Sequence, residues 1–186
     1  MNMVRTAVTA FAIATASIAG AQAADTTATP PIGAEPQNTS ATYGDWILRC
    51  SRTGEGDKAV RVCEVALPFQ IQVHGQEAPF GQLAFGRVNA KDPLHITFIM
   101  SPNVAFPSDV KMMTDDKDMQ PIVLTWSICV PSLCRADGEF KDDQVKRWKA
   151  LTAGGQLIFK QSSGQATPIP VSVRGLPQAL EALAKS

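Results

Sequence analysis

The chain has 186 residues, 17 basic and 17 acidic side chains, and 45% hydrophobic residues. A neutral balance with no block of like charge excludes nucleic acid or an anionic membrane surface as the main partner. Beyond the first two dozen residues, no segment offers the roughly 20 apolar residues that a membrane helix requires.

Arg5 is followed by an uncharged run from Thr6 to Ala24, which closes on the small-x-small sequence Ala21-Gln22-Ala23. This is the pattern of a cleavable export signal, so residues 1–23 are predicted to be a signal peptide. Residues 24–42 are rich in Thr, Ala and Pro and lack apolar periodicity, which predicts a flexible leader. The remainder, 43–186, is long enough to bury one core and is predicted to form a single β-sandwich domain.

Tyr43-Gly44-Asp45-Trp46 opens a short strand ending at Cys50. From Cys63 to Val73 every second residue is apolar, which predicts a longer strand with one buried face. The segment Arg52 to Lys58 between them is a polar, glycine-containing turn. A third strand is expected near Phe80 to Asn89, and a fourth where Leu94, Ile96, Phe98 and Met100 alternate with polar neighbours. Val110 to Met113 forms a short fifth strand in this reading. The charged turn Asp115-Asp116-Lys117-Asp118 then leads into a strand from Ile122 to Cys129.

After Cys134 the apolar period changes. Phe140, Val145, Trp148 and Leu151 share a helical face, with Asp142 and Asp143 near the start and Gly154-Gly155 as a stop, which predicts a helix from about Phe140 to Ala153. Strands over Leu157 to Gln161 and Thr167 to Val173 follow, and Leu176, Leu180 and Leu183 mark a short closing helix. Many short strands with turns at intervals of about ten residues predict an all-β sandwich carrying one amphipathic helix and a short C-terminal helix.

Four cysteines in an exported chain imply two disulfides. Cys50 shares the parity of Trp46 and Leu48, and Cys63 that of Val65 and Leu67, so both belong to apolar faces and are predicted to pair in the core. Cys129 falls on the opposite face from Ile122, Leu124, Trp126 and Ile128, and is predicted to form a local clip with Cys134. A catalytic dithiol normally reads C-x-x-C at a helix N-terminus, where the dipole lowers the thiolate pKa; the wider spacing here favours a structural bridge. Asp115, Asp116 and Asp118 lack the glycine and later glutamate of a calcium loop and read as a solvated turn. His74 and His95 are far apart, and no zinc spacing, haem attachment site, phosphate loop or serine elbow is present. Trp46, Trp126 and Trp148 all fall on apolar faces and are predicted to be core residues. The residues therefore name no cofactor, no metal and no catalytic group, and they leave any ligand-binding residues unknown.

The order and spacing of Tyr43-Gly44-Asp45-Trp46, Cys50, Cys63, Trp126-x-x-Cys129-x-x-x-x-Cys134 and Val171-Ser172-Val173-Arg174-Gly175-Leu176 resemble the invasion-associated locus B family of bacterial exported proteins. The resemblance spans about Tyr43 to Leu183. It implies an immunoglobulin-like β-sandwich in the periplasm, at the outer membrane or secreted, with no enzymatic activity. Its partner would be an envelope or host protein, with a role in host-cell invasion suggested by the family's name. A periplasmic module that binds a small molecule or glycan is the alternative, and a thiol-active protein using Cys129 and Cys134 a third reading.

Overall fold

A computed structural model describes residues 36–54, 58–87, 89 and 92–186. The predicted signal peptide and the leader as far as Glu35 lie outside the described residues.

Ten strands and two helices follow one another: β1 (Asn38–Tyr43), β2 (Trp46–Thr53), β3 (Val60–Val73), β4 (Gln76–Gly86), β5 (His95–Met100), β6 (Asp109–Met113), β7 (Ile122–Val130), β8 (Leu133–Glu139), α1 (Asp142–Lys149), β9 (Gly155–Lys160), β10 (Ala166–Val171) and α2 (Leu176–Ala184). The strands join into one sheet, ordered β1-β2-β3-β4-β5-β8-β7-β6-β9-β10, in which the registered neighbours run antiparallel. Hydrogen bonding is thus continuous where a sandwich would divide it.

The sheet rolls around its own apolar face. Phe98 on β5 and Phe159 on β9 are four strands apart, about 19 Å in a flat sheet, yet their ring centroids lie 6.4 Å apart. Phe80 on β4 reaches Phe159 as well, at 6.5 Å. The enclosed core contains Trp46, Val65, Phe85, Ile96, Phe98, Leu124, Phe140, Trp148 and Leu157, and no polar or charged residue is buried among the described residues. Trp126 is buried too, so all three tryptophans are core residues. Helix α2 packs across β1, β2 and β3 through Leu176, Ala179, Leu180 and Leu183. On the edge strand β10, Pro168 and Pro170 lack the N–H groups that another strand would need.

The apolar alternation of β3 outruns the core. Cys63, Val65, Leu67 and Phe69 are buried, but Ile71 and Val73 are 43% and 42% exposed. The reason is that β2 pairs with β3 only as far as Ala66, and β5 with β4 only from Gly81. Gln70–Val73 and Gln76–Pro79 therefore pair only with each other, as a projecting arm. His74 and Gly75 turn its tip with φ of 52° and 78°, the left-handed pair that a tight hairpin requires.

Four expectations need correction. Asn38 to Thr42, assigned to the leader, form most of β1 and pair in register with Ser51 to Ile47; backbone pairing holds the strand although its side chains from Asn38 to Thr42 are exposed. Strand β8 was missed because Cys134 and Ala136, its buried residues, alternate with a polar series. Helix α1 spans only Asp142–Lys149: the side chain of Gln144 accepts the Lys141 N–H at 3.0 Å at its start, and the chain leaves it at Ala150. Finally, the β7–β8 register slips between Trp126 and Ile128, and such a bulge reverses the parity beyond it. Ile128 is consequently exposed, and Cys129 sits directly opposite Cys134, on the same face and not the polar one.

Candidate functional site

Two motifs from opposite ends of the domain meet where the sheet closes. The β1–β2 turn, Gly44-Asp45, lies against Ser172-Val173-Arg174-Gly175 after β10. The Asp45 N–H donates to the Arg174 carbonyl at 3.1 Å, and the Trp46 indole donates to the Ser172 carbonyl at 2.9 Å. The Ser172 hydroxyl donates to the Asp45 carboxylate at 2.6 Å, and both Nε and Nη2 of Arg174 do so as well. The Arg174 guanidinium and the Ser172 hydroxyl hold the Asp45 carboxyl below the ordinary range. Gly44 and Gly175 have φ of 59° and 84°, and a Cβ on either would overlap backbone of the other segment. This clasp is structural.

A cleft of about 900 Å³ lies on the sheet face turned away from the core. Registered rows place it there. Val65, Phe85 and Ile96 form the inward row across β3, β4 and β5; Glu64, Gly86 and His95 form the outward row beside it, and Ala66, Ala84, Thr97 and Asp137 the next. Ala84 and Gly86 have almost no side chain, so the sheet is hollowed along β4. Arg49 stands on one side, donating to Glu64 at 2.6 Å and to Gln82 at 3.1 Å. It thereby links β2 to β4 across β3.

On the other side Asp137 accepts bonds from Thr97 at 3.0 Å, from Arg135 Nε at 2.9 Å and from Ser127. Burial pushes the Asp137 carboxyl up, but the Ser127, Arg135 and Thr97 donors together hold it below its ordinary value. Asn38, Thr39, Ser40, Ser51, Arg87 and His95 complete the polar lining.

The family profile described as "Invasion associated locus B (IalB) protein" matches residues 46–184. The chain belongs to the IalB family. The crystal structure of invasion associated protein B from Bartonella henselae shares the fold, with a TM-score of 0.63 at 19% identity over 79% of this chain and 95% of that one. No curated protein matches the chain.

In this IalB-family chain Cys50 is bonded to Cys63 and Cys129 to Cys134, each pair directly opposed across neighbouring strands, with Cα atoms 4.0 and 4.1 Å apart. Neither bridge lies at a helix N-terminus; α1 begins eight residues after Cys134. The Asp118 side chain is 3% exposed and anchors the β6–β7 loop. It accepts the Thr114 and Gln120 N–H groups at 2.9 Å each, the Thr114 hydroxyl at 3.0 Å and Arg147 Nη1 at 2.9 Å. Burial raises its carboxyl, and these donors overcome that to hold it low. Asp115 and Asp116 turn to Lys117 and Gln156 instead, and no metal-sized cluster of ligands occurs among the described residues. His74 stands at the tip of the arm and His95 at the cleft, so the two histidines do not meet. Sequence reasoning missed the cleft; the available signal was small residues at alternate outward positions of β4, Ala84 and Gly86, beside polar outward residues of β3 and β5.

Proposed function

We propose that this protein is exported to the periplasm and acts there, or from the outer membrane, as a disulfide-stabilised, non-enzymatic envelope protein that contacts another protein or a surface component. The observation that carries this reading is the family match over residues 46–184. The name of the Bartonella henselae relative, an invasion associated protein, extends it to contact with a host cell. The immunoglobulin-like sandwich implied by the resemblance corresponds to the two halves of the rolled sheet packed face to face, an arrangement supported by the Phe98–Phe159 contact. Among the described residues no helix is long and apolar enough to cross a membrane.

An affinity pull-down from cross-linked cell envelope, using the disulfide-bonded protein as bait, tests the reading. Reciprocal capture of one envelope or host-surface component is expected. Recovery no greater than with an unrelated exported β-protein would reject it. Intact-mass analysis of the periplasmic fraction tests export, with a mature chain starting within two residues of Ala24 as the expected result.

A second reading, a periplasmic module that binds a small molecule or glycan, is favoured by the cleft. Its volume lies within the roughly 300–1,000 Å³ range of small-molecule sites.

A further inference from the structure

We infer that the outer-face cleft binds an anionic, hydroxyl-bearing small molecule of the sugar-acid or sugar-phosphate class, with Arg87 as its main anchor. The inference rests on the second reading above and adds the ligand's chemistry. The decisive observation is an imbalance of donors and acceptors. Both carboxylates of the lining are already engaged, Glu64 by Arg49 and Asp137 by Thr97, Ser127 and Arg135. Arg87 and His95 also line the cleft, and neither side chain forms a hydrogen bond or ion pair among the described residues.

Arg87 is only partly exposed. A half-buried guanidinium offers five N–H donors and no acceptor, in a fork that fits carboxylate or phosphate oxygens. Beside it Ala84 and Gly86, with almost no side chain, keep the floor of the cleft low. At the β1–β2 end Asn38, Thr39, Ser40 and Ser51 line it too, with polar side chains that can exchange hydrogen bonds with hydroxyl groups. His95 brings the one aromatic ring of the lining, and no Phe, Tyr or Trp there offers a broad face on which a flat apolar ring could stack. A lone phosphate would fill little of 900 Å³; a phosphorylated or carboxylated sugar fills it better and matches both halves of the lining.

The same chemistry is found in free metabolites and in the glycerol-phosphate headgroups of lipids, and the probes separate these sources. The disulfide-bonded protein is titrated by calorimetry with glucose 6-phosphate, glucuronate, neutral glucose and inorganic phosphate, and in parallel with phosphatidylglycerol vesicles. Saturable binding of glucose 6-phosphate or glucuronate, with His95 imidazole proton resonances shifting on titration, is expected. Arg87→Ala should weaken it about tenfold, the loss of one charge-assisted hydrogen-bonding group, while Lys160→Ala on β9 leaves it unchanged. Binding to vesicles alone, abolished by Arg87→Ala, would support the inference and assign the ligand to a lipid headgroup. Equal binding of glucose would overturn the anionic class yet leave the binding-module reading standing. Binding that Arg87→Ala and Lys160→Ala weaken alike, binding of inorganic phosphate alone, or no saturable binding at all would also overturn it. The last result would remove the second reading too. Matching thermal unfolding of the variants and the parent establishes that each variant is folded.

Discussion

Arg174 grips the carboxylate of Asp45, a residue 129 positions earlier in the chain, from a largely exposed position of its own. The carboxyl is held below its ordinary value in the folded protein, so the folded chain binds fewer protons there than the unfolded chain. The contribution to stability is therefore present above the ordinary carboxylate range and is lost as pH falls through the lowered folded value. Asp45→Asn should cost about 1 kcal/mol at neutral pH, solvent screening of the guanidinium keeping the figure modest. Thermal melts along a pH series should show parent and variant converging in acid. A gap that stays constant with pH would detach the effect from the charge of Asp45.

The backbone on either side of that ion pair has stricter requirements. Gly44→Ala or Gly175→Ala puts a Cβ on a residue of positive φ and drives it into the facing backbone. Each should lose at least about 2 kcal/mol, read from urea unfolding. Alanine at either site with an unchanged midpoint would show that the two segments do not touch in solution.

The two disulfides differ in the loops they close. Cys50–Cys63 spans 13 residues of sequence and Cys129–Cys134 spans 5, for which chain entropy gives about 3 and about 2 kcal/mol. Replacing Cys50 and Cys63 by serine should therefore cost more than replacing Cys129 and Cys134, the more so because Cys50 and Cys63 are both buried. Non-reducing peptide mapping checks the connectivity, and a fragment linking Cys50 to Cys129 or Cys134 would refute it. Rapid alkylation of Cys129 or Cys134 at mildly acidic pH in the native protein would revive the thiol-active reading.

Two truncations separate β1 from what precedes it. A chain beginning at Gln37 should melt within about a degree of one beginning at Ala24, because the sequence before it has no apolar face to bury. A chain beginning at Gly44 should melt several degrees lower, since it loses β1 and uncovers the edge of β2. Equal melting temperatures for all three would mean that β1 adds nothing to the fold.

What could be read in the sequence was whatever a side-chain pattern records. The alternation of Cys63, Val65, Leu67 and Phe69 marks a half-buried strand, and Trp148 marks the buried side of α1, because burial selects the residue type. Strand β1 leaves no such trace: its side chains face water and only its backbone is committed. Ile71 and Val73 continue the alternation into solvent, since periodicity describes one strand and says nothing of where its neighbours stop. The slip after Trp126 inverts every later residue of β7 without changing its composition. The cleft was hidden for another reason, as it is made by the shortness of Ala84 and Gly86 and by the pairing of Arg49 with Gln82 across an intervening strand. Those are relations between strands, which no single stretch contains.

The clasp also bears on timing. Trp46 enters the chain early, yet its indole partner, the Ser172 carbonyl, is added 126 residues later, and contacts of such long sequence separation form late and slowly. Until Ser172 and Arg174 are available, the β1–β2 turn has no segment to close upon. A chain built this way fastens its two ends to each other only when its C-terminal segment is present.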